Sequence, residues 1–260
     1  GGNLGVGGTH GAFNGTNGLV VINWLGTTYD GGAGTEDTFT FESAGAQNLD
    51  DEIGVTFGGT SASAVNFEQV EVSGGGTFTT AFSGGDTDFD GSITKVLISE
   101  DNTELVLDAT YDDTGDLIDN NIVGDTANNI LSVEGVLASN AHLGGGADTI
   151  NLIGTIDGNV ELGSGVDEVS TFTGILNGTI DFGDSTDTVA DAETFVLDTG
   201  ASVSSTGHID MDDGDDLFWV KQSGLIDSNV TVDGGAGTDI LQLGDNEEHT
   251  ISINDTVDNT

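Results

Sequence analysis

The hydrophobic positions in the second half of the chain alternate with polar positions in short runs. In the segment 148–167, the apolar residues of this pattern are Ile150, Leu152, Ile156, Val160 and Leu162. A period of two is typical of β-strands, because successive strand side chains point to opposite faces. The runs are separated by Gly-rich or acidic turns, so the pattern predicts an all-β fold for this region.

The strands belong to an internal repeat. Five times the chain contains a Gly-rich or acidic turn, an acidic residue, and then a short alternating strand. The acidic residues of these five segments are Asp148, Asp167, Asp187, Asp216 and Asp239, at spacings of 19, 20, 29 and 23 residues. A unit of this length is too short for a closed domain, but it suffices for one coil of a solenoid whose apolar face is buried by the neighbouring coils. We therefore predict a parallel β-solenoid, β-helix-like or β-roll-like, with flattened coils of about 20 residues. The 29-residue interval fits either an enlarged loop or an extra half-coil.

The aligned acidic residues require a positive counter-charge. Stacked coils lie about 4.8 Å apart, and two carboxylates at this distance repel by roughly 1 kcal/mol in water and by roughly 3 to 4 kcal/mol at an effective dielectric constant near 20. The chain has 46 acidic residues, no arginine, and only Lys95 and Lys221 as basic side chains, for a net charge of −44. The counter-charge must therefore come from solvent, and Ca²⁺ is the hard cation that carboxylate and carbonyl oxygens favour.

The turn sequences also match a known repeat. Gly234–Asp239 reads GGAGTD and is followed by Leu241, and the segments 144–148 and 163–167 are close to it. These segments resemble the Gly-Gly-x-Gly-x-Asp-x-apolar repeats of secreted RTX proteins, which bind calcium. The longer coil is similar to the solenoidal passenger regions of bacterial surface proteins and autotransporters.

The resemblance implies that backbone oxygens of the Gly turns and the repeated acids enclose calcium ions. A degenerate first unit places Asn129 in the position of the acid, where it keeps an oxygen ligand without the charge. The ligands implied in this part of the chain are Asn129, Gly144, Gly146, Asp148, Gly163, Gly165, Asp167, Asp187, Asp216, Gly235, Gly237 and Asp239.

The first half of the chain is β-rich but less regular. We expect residues 1–120 to form irregular coils or a cap, and residues 121–260 to form the RTX-like solenoid. The segments ITKVLIS and ELVLDATY are joined by the polar tetrapeptide Glu100–Thr103. Two strands with a polar turn between them predict a β-hairpin.

Two further candidate calcium sites lie in the first half. Gly31, Gly32 and Gly34 precede Asp37 in an RTX-like turn with one residue inserted, and the alternative is an acidic hairpin turn without an ion. The second site is the D-x-D-x-D-G sequence formed by Asp86, Asp88, Asp90 and Gly91. Every second side chain of a loop points inward around a bound cation, and the Gly permits a sharp bend. No Glu stands at the twelfth loop position, so the segment resembles helix-free calcium loops; the alternative is a solvated acidic turn.

Composition limits the location and the partners of the protein. The chain has no Cys and no apolar run near 18 residues, so we expect neither disulfides nor a transmembrane segment. The strongly negative charge excludes nucleic acid as a partner and disfavours anionic membrane surfaces. The first residues lack an initiator Met and the features of a signal peptide, and we expect the chain to be a processed product or a piece of a longer one.

Catalytic motifs are absent from the sequence. There is no nucleophile elbow, phosphate loop or zinc motif, and the four His are dispersed. We therefore predict that the protein is not an enzyme but a calcium-stabilised extracellular structural protein of a bacterial surface. It would be a surface-layer, matrix-filament or adhesin subunit that folds and assembles on binding calcium, alone or with other surface components. The alternatives are a polysaccharide-acting enzyme module and a passenger region that binds a host or partner cell.

The aromatic residues are expected to lie mostly in the core. Strand alternation assigns inward positions to one set of side chains, comprising Phe39, Phe41, Phe172, Phe182 and Phe218. Trp219 follows Phe218 directly, so it should face outward, beside Lys221.

Overall fold

A computed structural model describes residues 19–20, 28–30, 38–42, 44, 47–49, 63–65, 69–80, 95–107, 110–111, 122–183, 192–221, 225–226 and 230–244. These residues form strands and turns, with no helix among them. Parallel sheets wind into a β-solenoid of about 6 turns with a spacing of roughly 23 residues. The predicted all-β parallel solenoid is therefore confirmed. Within the described part of the chain, no helix is long and apolar enough to cross a membrane.

The described strands are short. In chain order they are β1 (Leu19–Val20), β2 (Thr28–Asp30), β3 (Thr38–Glu42), β4 (Gln47–Leu49), β5 (Ser63–Val65), β6 (Gln69–Ser73), β7 (Thr77–Thr80), β8 (Lys95–Ile98), β9 (Glu104–Leu107), β10 (Thr110–Tyr111), β11 (Ile122–Val123), β12 (Ile130–Val133), β13 (Val136–Leu137), β14 (Ala141–His142), β15 (Thr149–Leu152), β16 (Thr155–Ile156), β17 (Asn159–Glu161), β18 (Glu168–Phe172), β19 (Ile175–Leu176), β20 (Thr179–Asp181), β21 (Thr194–Leu197), β22 (Ser202–Val203), β23 (His208–Asp210), β24 (Leu217–Val220), β25 (Leu225–Ile226), β26 (Thr231–Asp233) and β27 (Ile240–Leu243).

Three long parallel sheets contain nearly all of these strands. Sheet 1 has the order β1-β3-β6-β8-β11-β14-β17-β20-β23-β26, sheet 2 has β27-β24-β21-β18-β15-β12-β9-β7-β4, and sheet 3 has β10-β13-β16-β19-β22-β25. The pair β2-β5 stands apart from them. Each complete coil contributes one strand to each sheet, as β17, β18 and β19 do. The coil is therefore three-sided, and the predicted flattened coil is wrong. The third side was missed because a two-residue strand such as β19 is too short to show alternation.

The core is a stack of aligned apolar side chains. Along sheet 2, Ile150, Val169, Phe195 and Phe218 occupy one register row, and each is buried. The ring centroids of Phe195 and Phe218 lie 5.1 Å apart, and those of Phe195 and Phe172 lie 5.5 Å apart. Identical positions of successive coils thus bury one another, which is how a solenoid obtains a core from such short units.

The aromatic predictions agree with this packing where the structure describes them. Phe172, Phe182 and Phe218 are buried, whereas the side chains of Phe39 and Phe41 lie outside the described residues. Trp219 faces outward and is half-buried. Its Nε1–H donates to the carbonyl of Gly244 at 2.9 Å, and Lys221 Nζ lies 4.9 Å from the ring centroid.

The predicted hairpin around Glu100–Thr103 is wrong. Strand β8 pairs in parallel with β6 and β11, and β9 pairs in parallel with β7 and β12. Both edges of each strand are therefore occupied by neighbouring coils, and the tetrapeptide turns the corner from sheet 1 to sheet 2. Because β8 and β9 pair with strands beyond residue 120, both sheets continue across that position.

Candidate functional site

A column of polar residues lines the corner between sheet 1 and sheet 2. The first residues of β9, β12, β15, β18, β21, β24 and β27 are aligned across the sheet. The residues that precede these strands therefore also stack. This column, which we call the acid column, consists of Thr103, Asn129, Asp148, Asp167, Glu193, Asp216 and Asp239. The structure thus brings Asn129 and four of the five repeated Asp residues together.

The column position between Asp167 and Asp216 is occupied by Glu193; we call each such position a rung. The register pairs Glu168 with Thr194, so Glu193 follows Asp167 in the column. Asp187, which the repeat spacing assigned to this rung, lies outside the described residues. Sequence reasoning missed Glu193 because no Gly turn precedes it. The signal that identifies it is the alternating strand β21 directly after it.

Backbone hydrogen bonds connect the rungs of the acid column. The backbone N–H of Asn129 donates to Asp148 Oδ1 at 2.8 Å, and that of Asp148 donates to Asp167 Oδ1 at 2.7 Å. The N–H groups of Glu193 and Asp216 donate in the same way to the next acid, at 2.9 and 3.3 Å. Each of these acids therefore points along the solenoid axis and satisfies the backbone of the coil before it.

Four acids of the column, Asp148, Glu193, Asp216 and Asp239, each bury one side-chain oxygen deeply. Asp148 and Asp216 are each 1% exposed, and Glu193 is 5% exposed. One oxygen each of Asp148, Glu193, Asp216 and Asp239 has no hydrogen-bond donor within the described part of the chain when the carboxylates are ionised. Burial of an unpaired charged oxygen is strongly unfavourable. The column therefore needs either protons or a cation.

The pKa values of the column reflect this environment. Burial, with a smaller contribution from the charge of Asp167, raises the pKa of Asp148 to about 8. Burial and the adjacent Asp216 carboxyl raise the pKa of Glu193 to about 9, and burial also raises the pKa of Asp216. Without a cation, Asp148 and Glu193 therefore hold protons at neutral pH.

The Gly turns stack directly on one another beside the acid column. Gly163 has a φ of 96°, and a Cβ at this position would overlap the carbonyl oxygen of Gly144 in the coil before. That carbonyl accepts the backbone N–H of Ser164 at 2.9 Å. A side chain at Gly163 would thus be strained by both the backbone conformation and the neighbouring turn. The other turn glycines that the resemblance implied as ligands, Gly144, Gly146, Gly165, Gly235 and Gly237, stack in the same way against the preceding coil.

A second acidic row runs along the other side of the same corner. Glu161, Asp181, Asp210 and Asp233 are aligned at the ends of the strands of sheet 1. Three of them accept the backbone N–H two residues later, at 3.1 to 3.3 Å, which closes the turn. Burial and the charge of Asp210 raise the pKa of Asp181 to about 6. The sequence signal that could have revealed this row is an acidic residue six positions before an acid of the column, as Asp233 stands before Asp239.

A histidine ends the second row. His142 is aligned with Glu161, and its Nδ1 lies 3.1 Å from Glu161 Oε2. Both side chains are partly exposed. The row of acids along sheet 1 therefore ends in a contact between an imidazole and a carboxyl group.

The ligand chemistry of the corner fits a hard cation. The acid column offers buried, unpaired carboxylate oxygens, and no Lys or Arg belongs to it. Among the described residues, however, no three acidic or His side chains converge as a metal-binding group. Calcium takes six to eight oxygen ligands, so a calcium ion here would also need carbonyl oxygens of the stacked turns. Asp37, Asp86, Asp88 and Asp90 lie outside the described residues, and their sites stay predictions.

These features define a β-solenoid repeat protein with a buried acidic corner. The winding, the parallel register and the stacked turns establish the class of fold. Comparison of the chain with protein-family models, with curated proteins and with solved structures finds no match.

Proposed function

We propose that this protein is a calcium-stabilised structural protein of a bacterial cell surface, a subunit of a surface layer, matrix filament or adhesin. The observation that carries the proposal is the acid column, in which ionised Asp148, Glu193, Asp216 and Asp239 each bury an oxygen that no donor in the described residues satisfies. A cation between the rungs would neutralise the carboxylates and supply the missing partner. Calcium has the ligand preference that this donor set meets.

Specific residues would hold the ions. The carboxylates come from the acid column, and Glu193 extends the set that the resemblance implied. The turn carbonyls beside the column would complete each coordination shell. The proposed ligands in the described residues are Asn129, Gly144, Gly146, Asp148, Gly163, Gly165, Asp167, Glu193, Asp216, Gly235, Gly237 and Asp239.

Calcium binding of ordinary strength would be sufficient to control folding. Extracellular calcium modules have dissociation constants of about 0.1 to 1 mM. A site at ten times its dissociation constant stabilises the folded state by roughly 1.4 kcal/mol. Several such sites together approach the total stability of an ordinary domain, about 5 to 15 kcal/mol. The protein would then be loose where calcium is scarce and rigid outside the cell, where calcium is plentiful.

The solenoid geometry also supports self-association. All strand pairs of the three sheets are parallel, so an end-to-end contact between two copies would continue the sheets in the same direction. In the last described strand, β27, Ile240 is 56% exposed and Leu243 is 47% exposed. Head-to-tail contacts of this kind are not closed by symmetry and produce filaments. We therefore include assembly in the proposed function.

A calcium titration tests the proposal. Chelator-treated protein is titrated with calcium at neutral pH, and circular dichroism and light scattering are recorded, with magnesium as the control cation. We expect a cooperative gain of β signal near millimolar calcium, followed by growth in particle size. The double variant Asp148→Asn/Asp216→Asn should respond to calcium much less than Glu134→Gln, which changes an exposed acid outside the column. Full β structure in chelator that calcium does not change, in both variants and wild type, would contradict the proposal.

A further inference from the structure

A second kind of site lies at a different corner of the solenoid. Strand β19 ends at Leu176 and β20 begins at Thr179, so Asn177 and Gly178 form the turn from sheet 3 to sheet 1. An Asn followed two residues later by Thr, with a residue other than Pro between them, is the acceptor sequence for N-linked glycosylation. The tripeptide Asn177-Gly178-Thr179 meets this requirement.

The same tripeptide pattern recurs two coils later. Residues 229–231 read Asn-Val-Thr. Thr231 begins β26 as Thr179 begins β20, and the two Thr occupy one register row through His208. The number of such tripeptides carries no weight in a chain rich in Asn and Thr. The shared register of Thr179 and Thr231 is the relevant observation.

The local structure leaves room for a sugar on Asn177. Asn177 is partly exposed, and the residues at this corner in the adjacent coils, Asp157 and Thr206, are exposed. Thr179 faces outward because the next residue, Ile180, is buried. The amide and the hydroxyl of the tripeptide therefore both lie on the surface.

The hydrogen bond of Asn177 is compatible with modification. Its Nδ2 donates to Asp157 Oδ1 at 2.6 Å. A side-chain amide nitrogen carries two hydrogens, and a glycan replaces one of them. The remaining hydrogen can keep the bond to Asp157, so attachment of a sugar does not require the corner to open.

We propose that Asn177 is an N-glycosylation site. In the transfer, a bond forms between Asn177 Nδ2 and the anomeric carbon of a sugar, and the bond from that carbon to the pyrophosphate of a lipid-linked donor breaks. The amide loses one proton, and the lipid pyrophosphate leaves. The site is separate from the acid column, so its modification is independent of calcium binding.

A purely structural role makes the opposite prediction. Asn is favoured in turns and Thr in strands, so the tripeptide could serve the fold with an unmodified amide. Mass spectrometry of peptides from protein isolated from its own host distinguishes the two. Enzymatic removal of N-glycans in heavy-oxygen water converts a glycosylated Asn to a labelled Asp, and the label found in a parallel sample without the enzyme is subtracted, because Asn177 precedes Gly178 and such a pair also deamidates spontaneously. We expect labelled Asp at position 177 and none at Asn159, which begins the preceding strand of sheet 1 but is followed by Val160 and Glu161.

Substitution of the hydroxyl residue completes the test. In the same host, Thr179→Ser keeps the acceptor sequence and should keep the label at 177. Thr179→Val preserves the side-chain shape without the hydroxyl, and the label should fall to the level found at Asn159. An unmodified Asn177 in the wild type, or a label that persists in Thr179→Val, would overturn the proposal and leave the calcium hypothesis untouched.

Discussion

Replacement of Asp148 by Asn should make the calcium-free protein more stable at alkaline pH. Asp148 is 1% exposed, and its Oδ1 accepts the backbone N–H of Asn129. An amide of the same shape can keep this hydrogen bond without a charge. The column already contains such an amide in Asn129, whose Oδ1 accepts the N–H of Asp125 at 3.0 Å.

The magnitude follows from the pKa of Asp148. Burial raises it from 3.8 to about 8. The folded state therefore binds more protons than the unfolded state between about pH 4 and pH 8, and stability falls as the pH rises through this window. A difference of one pKa unit between the folded and unfolded states corresponds to about 1.4 kcal/mol. Ionised Asp148 therefore lowers the free energy of unfolding by on the order of 5 kcal/mol above about pH 8. This is a large fraction of the stability of an ordinary domain.

The assay is urea unfolding in chelator, beginning near pH 4, where Asp148 is protonated and the calcium-free fold is most stable, and continuing up to the pH at which the β signal is lost. Wild type and Asp148→Asn should have similar free energies of unfolding near pH 4, and Asp148→Asn should be increasingly more stable as the pH approaches 8. Glu134→Gln serves as the matched control, because Glu134 is exposed in the turn after β12. It should follow the wild type at every pH.

Calcium should reverse this order. A cation that neutralises Asp148 removes the penalty in the wild type, whereas Asp148→Asn has one carboxylate fewer with which to bind it. If Asp148→Asn and wild type show the same dependence on pH in chelator, Asp148 is ionised without penalty in the folded state. The buried acid column would then be an incorrect description of the site.

Four further substitutions test the turns, the core and the acid column by chemical unfolding. Gly200→Ala should lower the free energy of unfolding by about 1 kcal/mol, because a φ of 89° is unfavourable for Ala but the space around Gly200 is open. Gly163→Ala should lower it by roughly 3 kcal/mol or more, because the methyl group also meets the turn of the preceding coil. Equal losses of stability in the two variants would contradict the stacked turns. Phe195→Ala should cost about 3 to 5 kcal/mol because it leaves a cavity between buried aromatic rings; a loss below about 1 kcal/mol would contradict the packed core. Glu193→Gln removes an acid with a pKa of about 9, so it should raise the calcium-free stability most near pH 9. A variant with the same pH dependence as wild type would contradict the raised pKa of Glu193.

Local pattern was sufficient to predict the class of fold and part of the acid column. The alternation of segments such as Thr149–Leu152 specifies strands, and a repeat of about 20 residues specifies stacked coils. Asp148, Asp167, Asp216 and Asp239 lie in one register column because each directly precedes a strand of the same sheet. A strand and the residue before it are adjacent in the chain, so no tertiary information was needed to align them.

The tertiary structure decided which segments become neighbours. Glu193 joins the column because β21 pairs with β18. This pairing depends on the number of residues in the turns of that coil. Glu100–Thr103 became a corner because strands of other coils occupy both edges of β8 and β9. Burial of Asp148 likewise arises from coils before and after it. Residues that touch between coils are a full repeat apart in the sequence. Alternation along one coil therefore predicts its strands, but not which residues of the neighbouring coils bury the ends of those strands.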